Sequence, residues 1–467
     1  MIRRPSHREF AFASLLCLAS AWPAEAYAQS RNPVGPARAP NARGSNEATK
    51  DVASDSGAVV DDVWSLLLPP LKGPGADVDV IATKIVRLGA AAVDPVVGIL
   101  TGDVPEPDVE YPVHPTAIEM RTEILTACLR RLPRADVLAA LAARATPTST
   151  TDMRLLVVRW LSVMGGADAL DRVLVVASSL DAIQYQRAYV QSPIEQGLLA
   201  FLAEDPVHVR AIGKSLEKGP LPLAPILARV VATSRAPAAA STLVRNLGRS
   251  PELDLEIVRG LGTCGAIGDG LAEHAGMERL RALLESQDGE LQRAAIGTLA
   301  RLGDADSART LVELLSHADP LTVVAARRGL EALSGARHGV DPTAWSRWIE
   351  EEEEWFSSRL GPLVDTLSSE DVAAVSPALA EILRHPLYRH AIATAWKVQL
   401  SSENFARRLL FARMFGSLGS TRAVPWLVPL LDEENAELRA AARTSLVQLT
   451  GLDLPAESHK WKALASN

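Results

Sequence analysis

His385 and His390 come closest to a metal-binding pair in this 467-residue chain. They stand five residues apart, whereas two ligands on one helical face need a separation of three or four, and Pro386 breaks any helix between them. Glu350 to Glu354 supplies five consecutive carboxylates, but a calcium loop interleaves its acids with turn-forming residues. Trp345, Trp348, Ile349, Trp355 and Phe356 instead fall on one helical stripe, so most of the glutamates read as its solvated face. No Gly-x-Ser-x-Gly elbow, phosphate loop, dinucleotide fingerprint or Cys-x-x-Cys-His haem site is present, and Gly268-Asp-Gly270 has no strand before it. The reading therefore assigns no catalytic, cofactor-binding or metal-binding residue. Cys128 and Cys264 lie in apolar helical patterns and read as buried free thiols, a disulfide being the alternative.

What remains is chemistry suited to binding. The segment Gly102 to Thr116 carries four prolines, which forbid helix, and four acids, which would attract a basic partner, and it reads as a mobile insertion or a binding loop with Tyr111 as its anchor. Arg293 and Arg439 flank apolar helical stripes and are the other two candidate partner contacts, set against the simpler reading of a solvated helix face. Trp345 and Trp461 could anchor a partner, but their shared register favours a structural role.

That register identifies the elements that must position these residues. Leu302-Gly303 and Leu333-Ser-Gly335 reappear, shifted by 116 residues, as Leu418-Gly419 and Leu449-Thr-Gly451, and Trp461 follows Trp345 by the same step. Within each copy the leucines are 31 residues apart, a period typical of stacked repeats. In Glu290 to Gly303, Leu291, Ala294, Ala295, Leu299 and Leu302 line one face of a helix that Gly303 stops. A second helix follows with Ala308, Leu311, Val312, Leu314 and Leu315, and only neighbouring repeats can cover its stripe. Glu437 to Leu449 repeats the lettering, weaker copies lie at 85–100 and 160–174, and further pairs are expected at 120–143, 193–218, 221–247 and 252–284. Leu333 and Leu418 are 85 residues apart, so a Trp-rich helical insertion is expected near 341–400, opened by Asp341-Pro342.

The form Leu-Arg-x-Ala-Ala, then Leu-x-x-Leu-Gly, then a Leu-Leu helix resembles the HEAT and HEAT-like repeat family, best at 290–335 and 404–451. The resemblance implies an all-α fold, a right-handed α-solenoid of stacked helix hairpins whose inner surface recruits other proteins. It also implies a rival activity, because one branch of the family includes bilin lyases that handle chromophores. Aromatic residues are only 4% while apolar residues reach 48%, which suits closely packed helices rich in Ala, Leu and Val.

Arg3, Arg4 and Arg8, the apolar run Phe10 to Trp22 and the small-residue site Ala26-Tyr27-Ala28 form a signal peptide over 1–28, too short an apolar run to span a bilayer. Residues 29–57 read as a disordered Pro/Ala/Arg/Ser-rich linker, and 58–467 as the repeat array with its insertions at 102–116 and 341–400. The net charge is −8 although the first fifty residues carry seven basic against three acidic side chains, so the folded part is acidic and disfavours nucleic acid. The expectation is an exported, periplasmic or extracellular, monomeric scaffold or adaptor for protein partners, with no membrane anchor after cleavage and no cofactor. A lyase and a structural part of a cell-envelope assembly are the alternatives.

Overall fold

The computed structural model describes residues 48–68, 77–107, 115–234, 237–264, 276–367 and 372–465. Among these the chain is built from helices and turns with no strand, and it divides into two compact units, one ending at Ala145 and one beginning at Thr146. The fold is an α-solenoid of stacked helix hairpins. The signal-peptide segment, the linker up to residue 47, Tyr111 and Gly268-Asp-Gly270 lie outside the described residues.

In the first unit, α1 (Ala48–Leu67) begins inside the stretch expected to be linker, so helix starts ten residues earlier than the sequence reading placed the folded region. Val63, Trp64 and Leu67 are buried on one face of this helix, which anchors it. Next come α2 (Val78–Val86), α3 (Val93–Thr101), α4 (Pro115–Arg131) and α5 (Arg134–Arg144). The buried thiol of Cys128 on α4 sits 3.8 Å from the carbonyl of Ala82 on α2. Arg144 ties α5 to Asp94 at 3.2 Å and to Asp103 at 2.7 Å, fixing the start of the Pro-rich insertion.

The second unit opens with α6 (Thr151–Met164), α7 (Gly166–Ser178), the short α8 (Ala182–Tyr185), α9 (Ala188–Glu204) and α10 (Val209–Lys218). It continues with α11 (Ala224–Thr233), α12 (Pro237–Arg245), α13 (Pro251–Cys264), α14 (Gly276–Ala282), α15 (Gly289–Leu302), α16 (Ala308–Glu313) and α17 (Pro320–Ser334). Helices α9, α11, α13, α15 and α17 pack side by side, each against the next, and α10, α12, α14 and α16 cover their other side. The helix pairs expected from the repeat lettering are therefore present.

Beyond α17 the insertion forms α18 (Pro342–Leu367), α19 (Val372–Ile382) and α20 (Arg389–Trp396), followed by α21 (Phe405–Leu418), α22 (Val424–Leu427), α23 (Ala436–Thr450) and α24 (Ser458–Ala465). Asp341 caps α18 as its spacing predicts, accepting from the amides of Thr343 at 2.9 Å and Ala344 at 3.2 Å. Trp345 lies near the start of this helix of 26 residues, whose stripe through Ile349 and Trp355 keeps finding apolar cover. Trp396 packs edge-on to Phe411 and Phe415, with ring centroids 5.5 and 6.0 Å apart, at the centre of the last core.

The duplication seen in the sequence is obeyed by backbone geometry. Asp288, Asp319, Asn404 and Asn435 cap α15, α17, α21 and α23 through their side-chain oxygens. Those helices end on Gly303, Gly335, Gly419 and Gly451, all left-handed with φ of 71°, 71°, 72° and 69°, a conformation that costs glycine nothing.

Candidate protein-binding surface

The packed row α9–α11–α13–α15–α17 presents one continuous face, and arginines bridge each of its steps. Arg229 on α11 reaches Glu195 on α9 at 2.9 Å and Glu256 on α13 at 3.6 Å. Arg259 on α13 meets Glu290 on α15 at 2.5 Å, and Arg293 on α15 meets Asp319, the cap of α17, at 2.8 Å. Half-exposed pairs such as that of Arg229 contribute only ~0.2–1 kcal/mol each, so their main effect is to hold neighbouring helices in register.

Buried polar groups lock the same steps. Thr298 on α15 donates to the carbonyl of Val258 on α13 at 2.8 Å. Gln292, almost fully buried on α15, donates to Leu284 O at 2.7 Å, and its carbonyl oxygen lies 3.0 Å from the Thr322 hydroxyl of α17. Asp319 takes the Leu321 amide at 3.0 Å, the Thr322 hydroxyl and Arg293. Its carboxyl is held below the usual range, chiefly by the Leu321 amide, with help from Thr322 and Arg293.

At the eighth residue after the cap, α13, α15 and α21 differ from α17 and α23. Val258, Ile296 and Ala412 hold this position in α13, α15 and α21, all fully buried beneath the next helix. In α17 and α23 the same position is Arg327 and Arg443, both partly exposed. Arg327 pairs with Glu331 on its own helix at 2.7 Å, while Arg443 takes Asp453 at 2.5 Å and the Leu454 carbonyl at 2.9 Å. The row α9–α17 ends at α17, which also packs against the turn Pro386–Tyr388 and carries Leu321, 62% exposed, Val324, 38% exposed, and Arg328, also exposed.

Of the three sequence-nominated contacts, Arg293 is spent on Asp319, and Arg439 donates to the carbonyls of Glu433 and Glu434 at 2.7 and 2.6 Å. Both arginines therefore brace turns and helix steps, and they are not brought together; Tyr111 lies outside the described residues. Leu321 and Val324 went unremarked in the sequence. Their signal is positional: one repeat earlier the equivalent residues are Glu290 and Arg293.

The acidic run holds one departure from a plain solvated face. Glu350, Glu351 and Glu354 are exposed and Glu353 pairs with Arg309, but Glu352 is only 5% exposed. One of its oxygens meets His385 Nδ1 at 2.8 Å, and the other has no hydrogen-bond partner. Burial raises the Glu352 carboxyl above its ordinary range, against the pull of His385. The His385 ring stacks on Trp355 at 3.6 Å with 9° between planes, and the Trp355 indole donates to Glu381 at 3.2 Å. His390 is used elsewhere: its Nε2 lies 2.7 Å from Leu302 O and its Nδ1 2.8 Å from Ser420 Oγ, which ties α20 to both copies of the repeat. Among the described residues no group of three His, Cys, Asp or Glu side chains is placed to hold a metal ion. No described helix is long and apolar enough to cross a membrane.

The family described as HEAT repeats matches residues 240–331, which span α12 to α17. The same kind of caps, closing glycines and hydroxyl bridge recur in α21 and α23, where Ser445 donates to Ala412 O at 2.6 Å. No curated protein matches the sequence. Among solved structures, an engineered protein aligns at 17% identity with a TM-score of 0.31, covering 84% of this chain and 98% of its own. A mutant of Kap121p aligns at 11% identity with a TM-score of 0.36, over 89% of this chain and 48% of that one. The karyopherin Kap121p bound to the extreme C-terminus of the protein phosphatase Cdc14p aligns at 12% identity with a TM-score of 0.34, over 89% and 50%. This chain spans about half the length of the Kap121p chains.

Proposed function

We propose that the protein is an exported, non-catalytic scaffold or adaptor that binds other proteins on the face of α9 to α17. The observation that carries this reading is the row of stacked helices bridged by Arg229, Arg259 and Arg293 and ending in solvent-exposed Leu321 and Val324. Such a face makes distributed contacts, and affinity then comes from a few apolar anchors within a polar surround. Export is supported by the basic, apolar and small-residue segments of 1–28, and the site of action is then periplasmic or extracellular.

Two measurements test it. N-terminal sequencing of the exported protein should begin at Gln29; a mature chain that begins at Met1 and stays inside the cell defeats the export reading. Crosslinking in the exported fraction should recover a stoichiometric protein partner through the α9–α17 face. A coloured or small-molecule-loaded preparation would favour the lyase alternative, and a large self-assembly in light scattering would favour the envelope component.

A further inference from the structure

The row of stacked helices ends at α17, which also packs against the turn Pro386–Tyr388 and leaves Leu321, Val324 and Arg328 exposed. On α15 the stripe Gln292, Ile296 and Ala300 is buried and receives α17: a Cβ placed on Gly329 would lie 3.1 Å from Ile296 Cγ2 and 3.8 Å from Ala300 Cβ. The corresponding stripe on α17 is Val323, Arg327 and Glu331, each partly exposed. A further apolar helix laid against it would bury the guanidinium of Arg327 with only Glu331 as its counter-charge, which is costly. A helix carrying its own carboxylates would not.

We infer that α17 accepts, as an added rung, an amphipathic helix of a partner protein whose small apolar face is bordered by acidic residues. This deepens the scaffold reading above and rests on it. Three features argue for that occupant. The site continues an interface already made between α11, α13, α15 and α17, so the geometry suited to a packed helix is in place. Leu321 and Val324 stand where the previous rung carries Glu290 and Arg293, so the salt link used between rungs is replaced by apolar anchors. Arg328 is exposed beside them and forms no ion pair among the described residues, while Arg327 has one carboxylate neighbour, leaving the face net positive on an otherwise acidic protein. Leu321, Val324 and Arg328, three and four residues apart, lie along one face of α17.

The test uses the full mature chain and two labelled synthetic helices of about fifteen residues, one with alanine and leucine on one face bordered by glutamates, the other with lysines replacing those glutamates. Fluorescence anisotropy should show the glutamate peptide binding at least about tenfold more tightly than its lysine twin, and amide exchange should slow at 321–331. Arg328→Glu should invert the preference, and Leu321→Asp with Val324→Asp should abolish binding, both with unchanged circular dichroism because these side chains are exposed. Equal binding of the two peptides, binding that survives the double aspartate variant, or no binding at all overturns the inference. In the crosslinking experiment, capture unaffected by the aspartate variant also overturns it while leaving the scaffold reading intact; loss of all capture in the unaltered protein defeats the scaffold reading itself.

Discussion

Trp345 and Trp461, 116 residues apart, make the same bond: each indole N–H donates to the carbonyl six residues before it, Gly339 at 3.0 Å and Pro455 at 2.7 Å. Both side chains are fully buried. The helices that carry them pack on equivalent partners as well, α18 on α16 and α24 on α22. The tryptophans thus close the two copies, folding the chain that leaves the last repeat helix back over its own hairpin.

Trp345→Phe and Trp461→Phe should each lower stability by about 1 kcal/mol, the net worth of one hydrogen bond, plus a packing loss. Substitution by alanine should cost about 3–5 kcal/mol in the copy concerned. Denaturant titration followed by far-ultraviolet circular dichroism, with amide exchange at 335–345 and 451–461, measures both. A Trp461→Phe variant indistinguishable from the parent would show that the bond does not hold the closing segment.

The caps offer a comparison between copies. Asn435→Ala removes acceptors for the Glu437 and Leu438 amides and should cost about 1 kcal/mol. Asp319→Ala should lower the denaturation midpoint further, because Arg293 loses its acceptor too. The depressed Asp319 carboxyl also sets a sign for pH: its contribution is present above the unfolded carboxylate value near ~3.9 and is lost as pH falls through its lower folded value. Acid titration of parent and Asp319→Ala should therefore converge at low pH.

Glu352 has the opposite sign. Its carboxyl is raised first by burial, so its favourable contribution is complete below the unfolded value near ~4.3 and is lost as pH rises through the raised folded value. His385, the neighbouring Glu351 and, through Trp355, the Glu381–Arg359 pair face or adjoin this group. Glu352→Gln cannot ionise and should flatten the decline that sets in above the unfolded value near ~4.3, while His385→Ala, which leaves both oxygens bare, should steepen it. Stability measured against pH in the three proteins decides; parallel curves would mean that Glu352 does not titrate in this range.

Burial pushes the thiols of Cys128 and Cys264 up to about 12 and closes them off from solvent. Alkylation at pH 8, mapped by mass spectrometry, should leave both unmodified in the native protein and modify both in denaturant. Rapid native labelling of either would contradict the buried free thiols expected from their helical settings.

Much of the fold was legible because a repeat states its own solution more than once. The spacing of Leu291, Leu299 and Leu302, the stop at Gly303 and the cap-and-proline start at Asp341 are local signals, fixed by helical period and backbone preference, and each is honoured. The surface was less legible. Arg293 and Arg439 look alike as polar residues beside an apolar stripe, but whether such a residue faces a partner or its own next helix depends on groups 26 residues away or on nearby carbonyls.

By itself, then, the sequence determined an all-helical chain of hairpins, a duplicated segment and the places where helices begin and end, because those follow from the chemistry of adjacent residues. Tertiary structure decided which side chains remain open: that Glu352 in an acidic run is buried against His385, that Arg327 ends a row where Ile296 continues one, and that Leu321 and Val324 face water. Exposure is a property of what packs alongside, and neighbours in space are set by how helices stack, which no short stretch of residues encodes.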